Sequence, residues 1–546
     1  LNAPVRTSPE TPAYRLPDFA VRFVAAADVR ACGAQVAEER VGAVLSAAAA
    51  ALSEPGSLPT AKRFCLQRAA HAADVDAEYM PWLGAFRDAL GDVLAFSEVE
   101  AFDHPVAALC VATTECEGAP QALRAMYGAP RVPIPLADGT MDPNVERYYL
   151  LVHDPDKGTS DERAAALLRE CQAAVGGAAC HLLRLAPAGV GGTGGGAPPQ
   201  QQQGADPVAA YVSELVARHL IPYLERRVRA IDHHVSSTRK GMMNSLKNRW
   251  RKAADTREGS GGGTGGQHVA YPAGSSEATL RLAGDLAFML RDYSLAAGNY
   301  SLLLSDYKVD RAWAHLGATH EARAMALLLT DGARREAEAA LVEALEAYRR
   351  VPARATKTED NASPAPLVSL LAARAALALA DLYASRGAYR EAGRELCRAA
   401  DHEAGLASAI LRERGALLAA RAPTSLRRHA SFQMVLAGFR YAQAGQRAHA
   451  MRTYAATQRP FDGGRWRFIH DHIHATLGRH AAHLGDHVLA SSHFSRLLGA
   501  GHQSVATQQS FMNEFLYVLK SARKKAGEEA LGTEAAPMAL PLPHVN

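Results

Sequence analysis

The chain is 546 residues long, room for roughly three to four domains at ~150 residues each. Hydrophobic residues make up 48% and charged residues 21%, which excludes a wholly disordered chain. Aromatics are only 6%, favouring packed helices over a β-sandwich, and a net charge of +4 gives no support for nucleic acid as a partner.

Residues 1–27, with four prolines in the first 18, read as an extended lead-in. Residues 28–188 read as an α/β domain. Helical patterns cover 28–51 and 82–98, and short apolar runs at 106–114, 145–153 and 180–185 predict strands. Between the last two, Ser160-Asp-Glu opens a helix with acids in its first turn. Strand, helix and strand in about 40 residues make a βαβ unit and a mainly parallel sheet. Residues 189–205 are a Gly/Pro/Gln linker by composition. Residues 206–257 hold a long helix and a basic amphipathic segment, 258–274 a Gly-rich loop, and 525–546 a Pro-rich tail.

From 275 to 524 the pattern is helical, with a faint repeat. Arg291…Ala296…Tyr300, Gly387…Ala392…Leu396, Gly445…Ala450…Tyr454 and Gly485…Ala490…Phe494 share one spacing. A turn residue closes one helix, and a small Ala five positions on lets the next pack closely. This is tetratricopeptide-like hairpin logic with irregular spacing between repeats. The predicted fold class is therefore α+β multidomain: an N-terminal α/β domain with a mainly parallel sheet, then a tetratricopeptide-like α-solenoid.

The seven cysteines are scattered and form no Cys-x-x-Cys, which fits a reducing compartment. No uninterrupted apolar run approaches the ~18 residues of a membrane span, and no signal peptide is visible. The expectation is a soluble intracellular chain that meets any membrane from the side. No phosphate-binding loop, nucleophile elbow or His-Glu-x-x-His occurs, so no cofactor and no catalytic set is expected. His470 and His474 share a helix face at metal-ligand spacing, but a polar helix face explains them as well. His233-His234 suits a helix C-terminus. Cys110 and Cys116 read as core thiols, and Asp142, Asp154 and Asp156 as turn acids.

One segment stands out. Arg239, Lys240, Lys247, Arg249, Arg251 and Lys252 supply six cations without an acid, while Met243, Leu246 and Trp250 share a helical face. Such a segment fits an anionic membrane interface. The competing reading packs Met243, Leu246 and Trp250 on the solenoid.

Several ordered stretches resemble the TRAPP III-specific large subunit, the trafficking protein particle complex subunit 8 family. They are Phe102-Asp-His-Pro-Val-Ala107; Met141-Asp-Pro-Asn144 with Arg147 to Asp154; Ile221 to Arg226 with Arg239-Lys-Gly241 and Lys247 to Trp250; Arg281 to Ala296 with Asp306 to Trp313; Arg428 to Gly438 with Ala444 to Gln446 and His449 to Tyr454; and Trp466 to Ile473 with Gly478-Arg479. They span about 100 to 520, leaving the Ala-rich N-terminus unmatched. The family's C-terminal β-sandwich region has no counterpart and the first residue is Leu, so a partial chain is expected. The resemblance implies a non-catalytic scaffold and membrane-targeting subunit joined to TRAPP core subunits. That complex exchanges nucleotide on a Rab-type GTPase in ER-Golgi traffic and autophagy. It implies a cytoplasmic protein peripherally on Golgi, ER-Golgi intermediate or pre-autophagosomal membranes. The alternatives are a free-standing tetratricopeptide-type peptide adapter and, more remotely, a hydrolase or transferase using the α/β half.

Overall fold

The computed structural model describes residues 3–7, 13–16, 18–30, 34–53, 79–126, 132–176, 180–185, 206–233, 269–330, 332–351, 365–402, 405–423, 426–461 and 466–529. In chain order the elements are β1 (Ala3–Val5), β2 (Tyr14–Leu16), α1 (Ala34–Ser53), α2 (Leu83–Leu94), β3 (Ala107–Thr113), α3 (Ala119–Met126), β4 (Glu146–His153), α4 (Asp161–Val175), β5 (Cys180–Arg184) and α5 (Pro207–Leu215). A π-helical turn, Val216–Leu220, carries α5 into further helix over 221–233. Then follow α6 (Ser276–Met289), α7 (Tyr293–Val309), α8 (Trp313–Leu328), α9 (Arg334–Arg349), α10 (Ala365–Ser385), α11 (Tyr389–His402), α12 (Gly405–Arg421), α13 (Arg427–Gln443), α14 (Arg447–Ala456), α15 (Arg467–His483), α16 (His487–Leu497) and α17 (Val505–Glu529). The α+β class with a parallel sheet and helical hairpins is what the sequence predicted.

The chain forms two compact units, residues 1–31 with 95–340, and 32–94 with 341–546. In the first, β3, β4 and β5 pair in that order, all parallel, with Ala107 opposite Glu146 and Tyr149 opposite Cys180. Parallel strands need crossovers, and α3 and α4 supply them on one face of the sheet. Cys110, Ala112, Leu123, Leu151, Leu167 and Cys171 form the core between. Ser160 caps α4 by accepting from the Arg163 amide at 3.2 Å. On the opposite face Tyr148 and His181 meet Tyr211 and His219 of the long helix.

The expected lead-in over 1–27 is more than extended chain. β1 and β2 pair antiparallel, and Val5 and Leu16 pack with Ile221, Leu224, Val228, Leu286 and Leu290. These apolar side chains sit among prolines that break longer strands, so sequence pattern alone reads them as coil. The boundary expected at residue 28 also differs from the contacts. α1 and α2 pack in the second unit, against α12 and α10 respectively.

Hairpins α6–α7, α10–α11, α13–α14 and α15–α16 repeat one joint. Arg291, Gly387, Gly445 and Gly485 all adopt left-handed φ of 64° to 80°. The following residue's amide bonds back five positions, as in Asp292 to Ala287 (2.9 Å), Ala388 to Tyr383 (2.9 Å), Gln446 to Tyr441 (2.9 Å) and Asp486 to Ala481 (3.0 Å). Ala296, Ala392, Ala450 and Ala490 are each fully buried, as the repeat requires.

α10 contains a stretch, Val368–Ser385, long and apolar enough to cross a membrane by length and composition. The sequence reading missed it because Arg374 and Asp381 interrupt the run. Here 56% of that stretch is buried, packed with α2, α11 and α12, and Asp381 accepts from Arg87 at 2.6 Å.

Candidate functional site

Three of the four hairpins close around a notch. Gly284, Gly438 and Gly478 lie sixteen residues before Tyr300, Tyr454 and Phe494, and each aromatic ring sits where a glycine Cβ would be. A Cβ on Gly284 would fall 2.5 Å from Tyr300 Cε1; on Gly438, 2.8 Å from Tyr454 Cε2; on Gly478, 2.7 Å from Phe494 Cε2. The sequence reading found the aromatic and the Ala but missed the glycine. Its signal was present, since all three glycines recur at one fixed distance before their aromatic residues.

Two buried carboxylates brace the hairpins. Asp285 on α6, fully buried, accepts from Arg281 Nε at 2.9 Å, Tyr300 OH at 2.7 Å and the Ala101 amide at 2.6 Å. Burial pulls the Arg281 guanidinium down, but Asp285, with Tyr300, Glu100 and Tyr307 after it, together outweigh this and hold it above the ordinary arginine range. Burial first, then Asp285, push the Tyr300 hydroxyl well above its usual value, so it stays a donor. Glu413 on α12 repeats the arrangement. It accepts from Tyr441 OH at 2.8 Å and pairs with Arg452 of α14 at 2.5 Å. Arg452 lies over the Trp82 ring at 4.6 Å, Trp82 meets His449 edge-on at 4.9 Å, and His449 Nε2 is 3.0 Å from the Leu45 carbonyl. Burial, and then Arg452, push His449 down to about 4. In each unit an N-terminal segment is thus seated on the hairpins beside a buried charge, through Ala101 in one and through Leu45 and Trp82 in the other.

The nine residues singled out for membrane contact, Arg239, Lys240, Met243, Leu246, Lys247, Arg249, Trp250, Arg251 and Lys252, lie outside the described residues, as does His234. His233 is exposed at the end of the long helix. His470 and His474 do come together, ring centroids 4.4 Å apart, and His474 Nδ1 is 3.0 Å from His493 Nδ1. A short contact between two ring nitrogens is a hydrogen bond in which one ring donates and the other accepts. Among the described residues, no group of three or more His, Cys, Asp or Glu is placed to hold a metal ion. Burial, then His470, His493 and Arg496, drive His474 down to about 3, and burial, then Arg496, lowers His493 to about 4.

Asp142 pairs with Arg227 and accepts from the Asn144 amide at 2.8 Å, and Asp154 caps a short 3-10 turn by accepting from the Asp156 amide at 3.1 Å. Cys110 is a core thiol pushed up by burial, but Cys116 is exposed, because β3 ends three residues before it and the chain turns outward. The parallel register places Thr114 beside His153 at the strand ends. Thr114 Oγ1 is 3.2 Å from His153 Nδ1, and His153 Nε2 is 3.3 Å from Asp161 in the first turn of α4. The order hydroxyl, imidazole, carboxylate is that of an activated nucleophile. Here His153 is 1% and Thr114 8% exposed while Asp161 is 65% exposed, so the set ties strand ends to a helix start with its hydroxyl and imidazole out of a substrate's reach.

Apolar exposure concentrates on the later hairpins. Phe432 and Phe439 on α13 are 49% and 47% exposed, and Trp466 and Phe468 at the start of α15 are 43% and 65% exposed.

A family model described as the ER-Golgi trafficking TRAPP I complex 85 kDa subunit matches residues 3–191 and 201–387. The chain belongs to that family. The gap between the two matched stretches falls inside the Gly/Pro/Gln-rich 189–205. The match begins at residue 3, so the N-terminal hundred residues, expected to be unmatched, are part of the family pattern. Trafficking protein particle complex subunit 8 of Homo sapiens is 30% identical over 349 residues, 62% of this chain. The chain spans 23% of that relative's length.

Proposed function

We propose that this chain is a non-catalytic scaffold and membrane-targeting subunit of a TRAPP III-type vesicle-tethering and Rab nucleotide-exchange complex. The observation that carries the reading is family membership over both the α/β part and the first hairpins, residues 3–387. The architecture agrees with it. Stacked helical hairpins present long surfaces, and the buried carboxylates serve to seat segments of chain. In the hydroxyl–imidazole–carboxylate set at the strand ends, the hydroxyl and imidazole are buried, and only the carboxylate of Asp161 reaches solvent.

On this reading the chain holds TRAPP core subunits and acts only indirectly on a Rab-type GTPase of the early secretory pathway. It works in the cytoplasm, peripherally on Golgi, ER-Golgi intermediate or pre-autophagosomal membranes, in ER-Golgi traffic and autophagy. The Arg239–Lys252 segment is the proposed contact with anionic lipid, six cations each worth about 1 kcal/mol near such a surface.

Affinity purification of the tagged chain followed by mass spectrometry is the test. Small TRAPP core subunits are expected in the eluate, and their absence would overturn the assignment. Changing Lys247, Arg249, Arg251 and Lys252 together to Glu should abolish flotation with phosphatidylserine vesicles while leaving core recovery intact. Undiminished flotation would remove the membrane role from this segment.

A further inference from the structure

We infer that the outer face of α13, with the start of α15, is a docking site for an acidic amphipathic helix of a partner protein. α13 packs on α12 and α14 through Ala430, Ser431, Met434, Ala437, Gly438 and Tyr441. Its other side carries Phe432, Val435, Leu436 and Phe439, the i, i+3, i+4, i+7 spacing of a helix stripe made for contact. Surface helices of soluble proteins rarely leave such a stripe apolar, and a contiguous apolar patch marks a binding surface. One turn before Phe432, Arg428 continues the stripe and lies over the Trp466 ring at 5.8 Å. Phe468 follows, edge-on to His502 at 5.2 Å. The face therefore crosses from one hairpin to the next.

Charge identifies the occupant. Residues 427–461 contain no Asp or Glu, and Arg427, Arg428 and Arg447 are exposed, with Arg440 half-buried. Asp401 pairs with Arg412, which also donates to Gln433 of α13, and the buried Glu413 pairs with Arg452. An apolar stripe on a helix that carries exposed arginines and no acid fits a helix with apolar residues on one side and Asp or Glu beside them. The stripe from Arg428 to Phe439 is about 17 Å long at ~1.5 Å per residue, matching about three turns of helix. A membrane fits less well. Phe432 and Phe439 are only half exposed, whereas lipid-inserting side chains stand clear of the surface. The basic Arg239–Lys252 segment has the wrong charge. α13 also lies beyond the residues that the family model matches, so membership in the family does not assign this surface.

The test uses the full chain and a dye-labelled synthetic helix of about 18 residues, with Leu at i, i+3, i+4 and i+7 and Glu on the flanks. Fluorescence anisotropy should show saturable binding that weakens as salt rises. A twin peptide with Lys for every Glu should not bind. Phe432→Ser with Phe439→Ser should weaken binding about tenfold or more, with an unchanged thermal midpoint. Arg428→Glu should weaken it and flatten the salt dependence. Failure of the acidic peptide to bind, equal binding of the Lys twin, or indifference to the Phe changes would each overturn the proposal. So would acidic-peptide binding that requires removal of residues 530–546, which would make the chain's own tail the occupant. Loss of phosphatidylserine-vesicle flotation in the Phe432/Phe439 variant, with no peptide binding by the parent chain, would assign the face to lipid instead.

Discussion

Replacing Gly284 by Ala tests whether the hairpins are held by ring-in-notch packing. In a helix interior, Gly→Ala ordinarily stabilises by about 1 kcal/mol. Gly298 on α7 offers that reference inside the same unit, because it is exposed and nothing lies within 4 Å of its would-be Cβ. At Gly284 the same methyl would stand 2.5 Å from Tyr300 Cε1 and 2.8 Å from Cδ1, about 1 Å inside ordinary carbon contact. The ring cannot swing away cheaply, since its hydroxyl is bonded to Asp285 at 2.7 Å and the side chain is fully buried. Overpacking of this kind costs about 1–3 kcal/mol. Gly298→Ala should therefore stabilise by up to about 1 kcal/mol, and Gly284→Ala should fall about 1–3 kcal/mol below it. Hydrogen exchange of α6–α8 peptides across a urea series reads both. Adding Tyr300→Leu to Gly284→Ala should remove the penalty, giving a coupling between neighbours that a double-mutant cycle exposes. Equal stabilisation at both glycines would refute the notch.

Other outcomes follow from the buried charges and strained turns. His474, His493 and His449 have folded values of about 3, 4 and 4, against 6.5 when unfolded, so the unfolded chain alone takes up protons below pH 6.5. Their contribution is complete above pH 6.5 and is lost as pH falls toward 4, and His474→Leu should flatten that slope in pH-dependent urea unfolding; an unchanged slope would count against it. Arg291→Gly should stabilise by up to about 1 kcal/mol, since a left-handed φ of 64° strains a Cβ more than its exposed bridge to Asp18 returns; destabilisation in a melt would oppose this. Glu413→Gln should destabilise by about 3–5 kcal/mol because Arg452 is left buried without its counter-charge, while a joint Glu413→Leu, Tyr441→Phe, Arg452→Met change should recover most of that loss in chemical denaturation.

The parallel sheet was legible because three apolar runs, each closed by turn residues, flank a capped helix, and the strands fall within a residue or so of the expected runs. The hairpins were legible from the turn residue and the Ala five positions later. Two features escaped for different physical reasons. β1 and β2 are three residues each, too short for a period-2 pattern, and they exist because Val5 and Leu16 find an apolar surface on helices more than 200 residues away. Pairing of that kind is a tertiary fact with no local signature. α1 reads as an Ala-rich helix from composition, but its partners are α2 and α12, and small residues such as Ala37 and Gly42 specify close approach without specifying to what.

The braces illustrate why polar function is harder to read than fold. Asp285 and Glu413 look like ordinary surface acids in sequence, one a turn after Arg281 and the other between Arg412 and Arg414, in helices rich in Ala and Leu. Only the packing reveals that one receives a backbone amide from Ala101 and that the other neutralises an arginine stacked on Trp82. A buried ion pair adds little net stability compared with well-packed apolar groups, yet it is costly to leave half made. That asymmetry suits a scaffold. The hairpins could pack through their Ala and aromatic notches alone, whereas the carboxylates penalise an arrangement in which the N-terminal segment is seated elsewhere. The arginine-rich face of α13 has the opposite character. Its apolar stripe faces outward, acids are absent from α13 and α14, and the same helix that buries Gly438 against Tyr454 leaves Phe432 and Phe439 half in solvent. One side of α13 is fixed by the fold, and the other carries the spacing and charge of a surface awaiting a complementary helix.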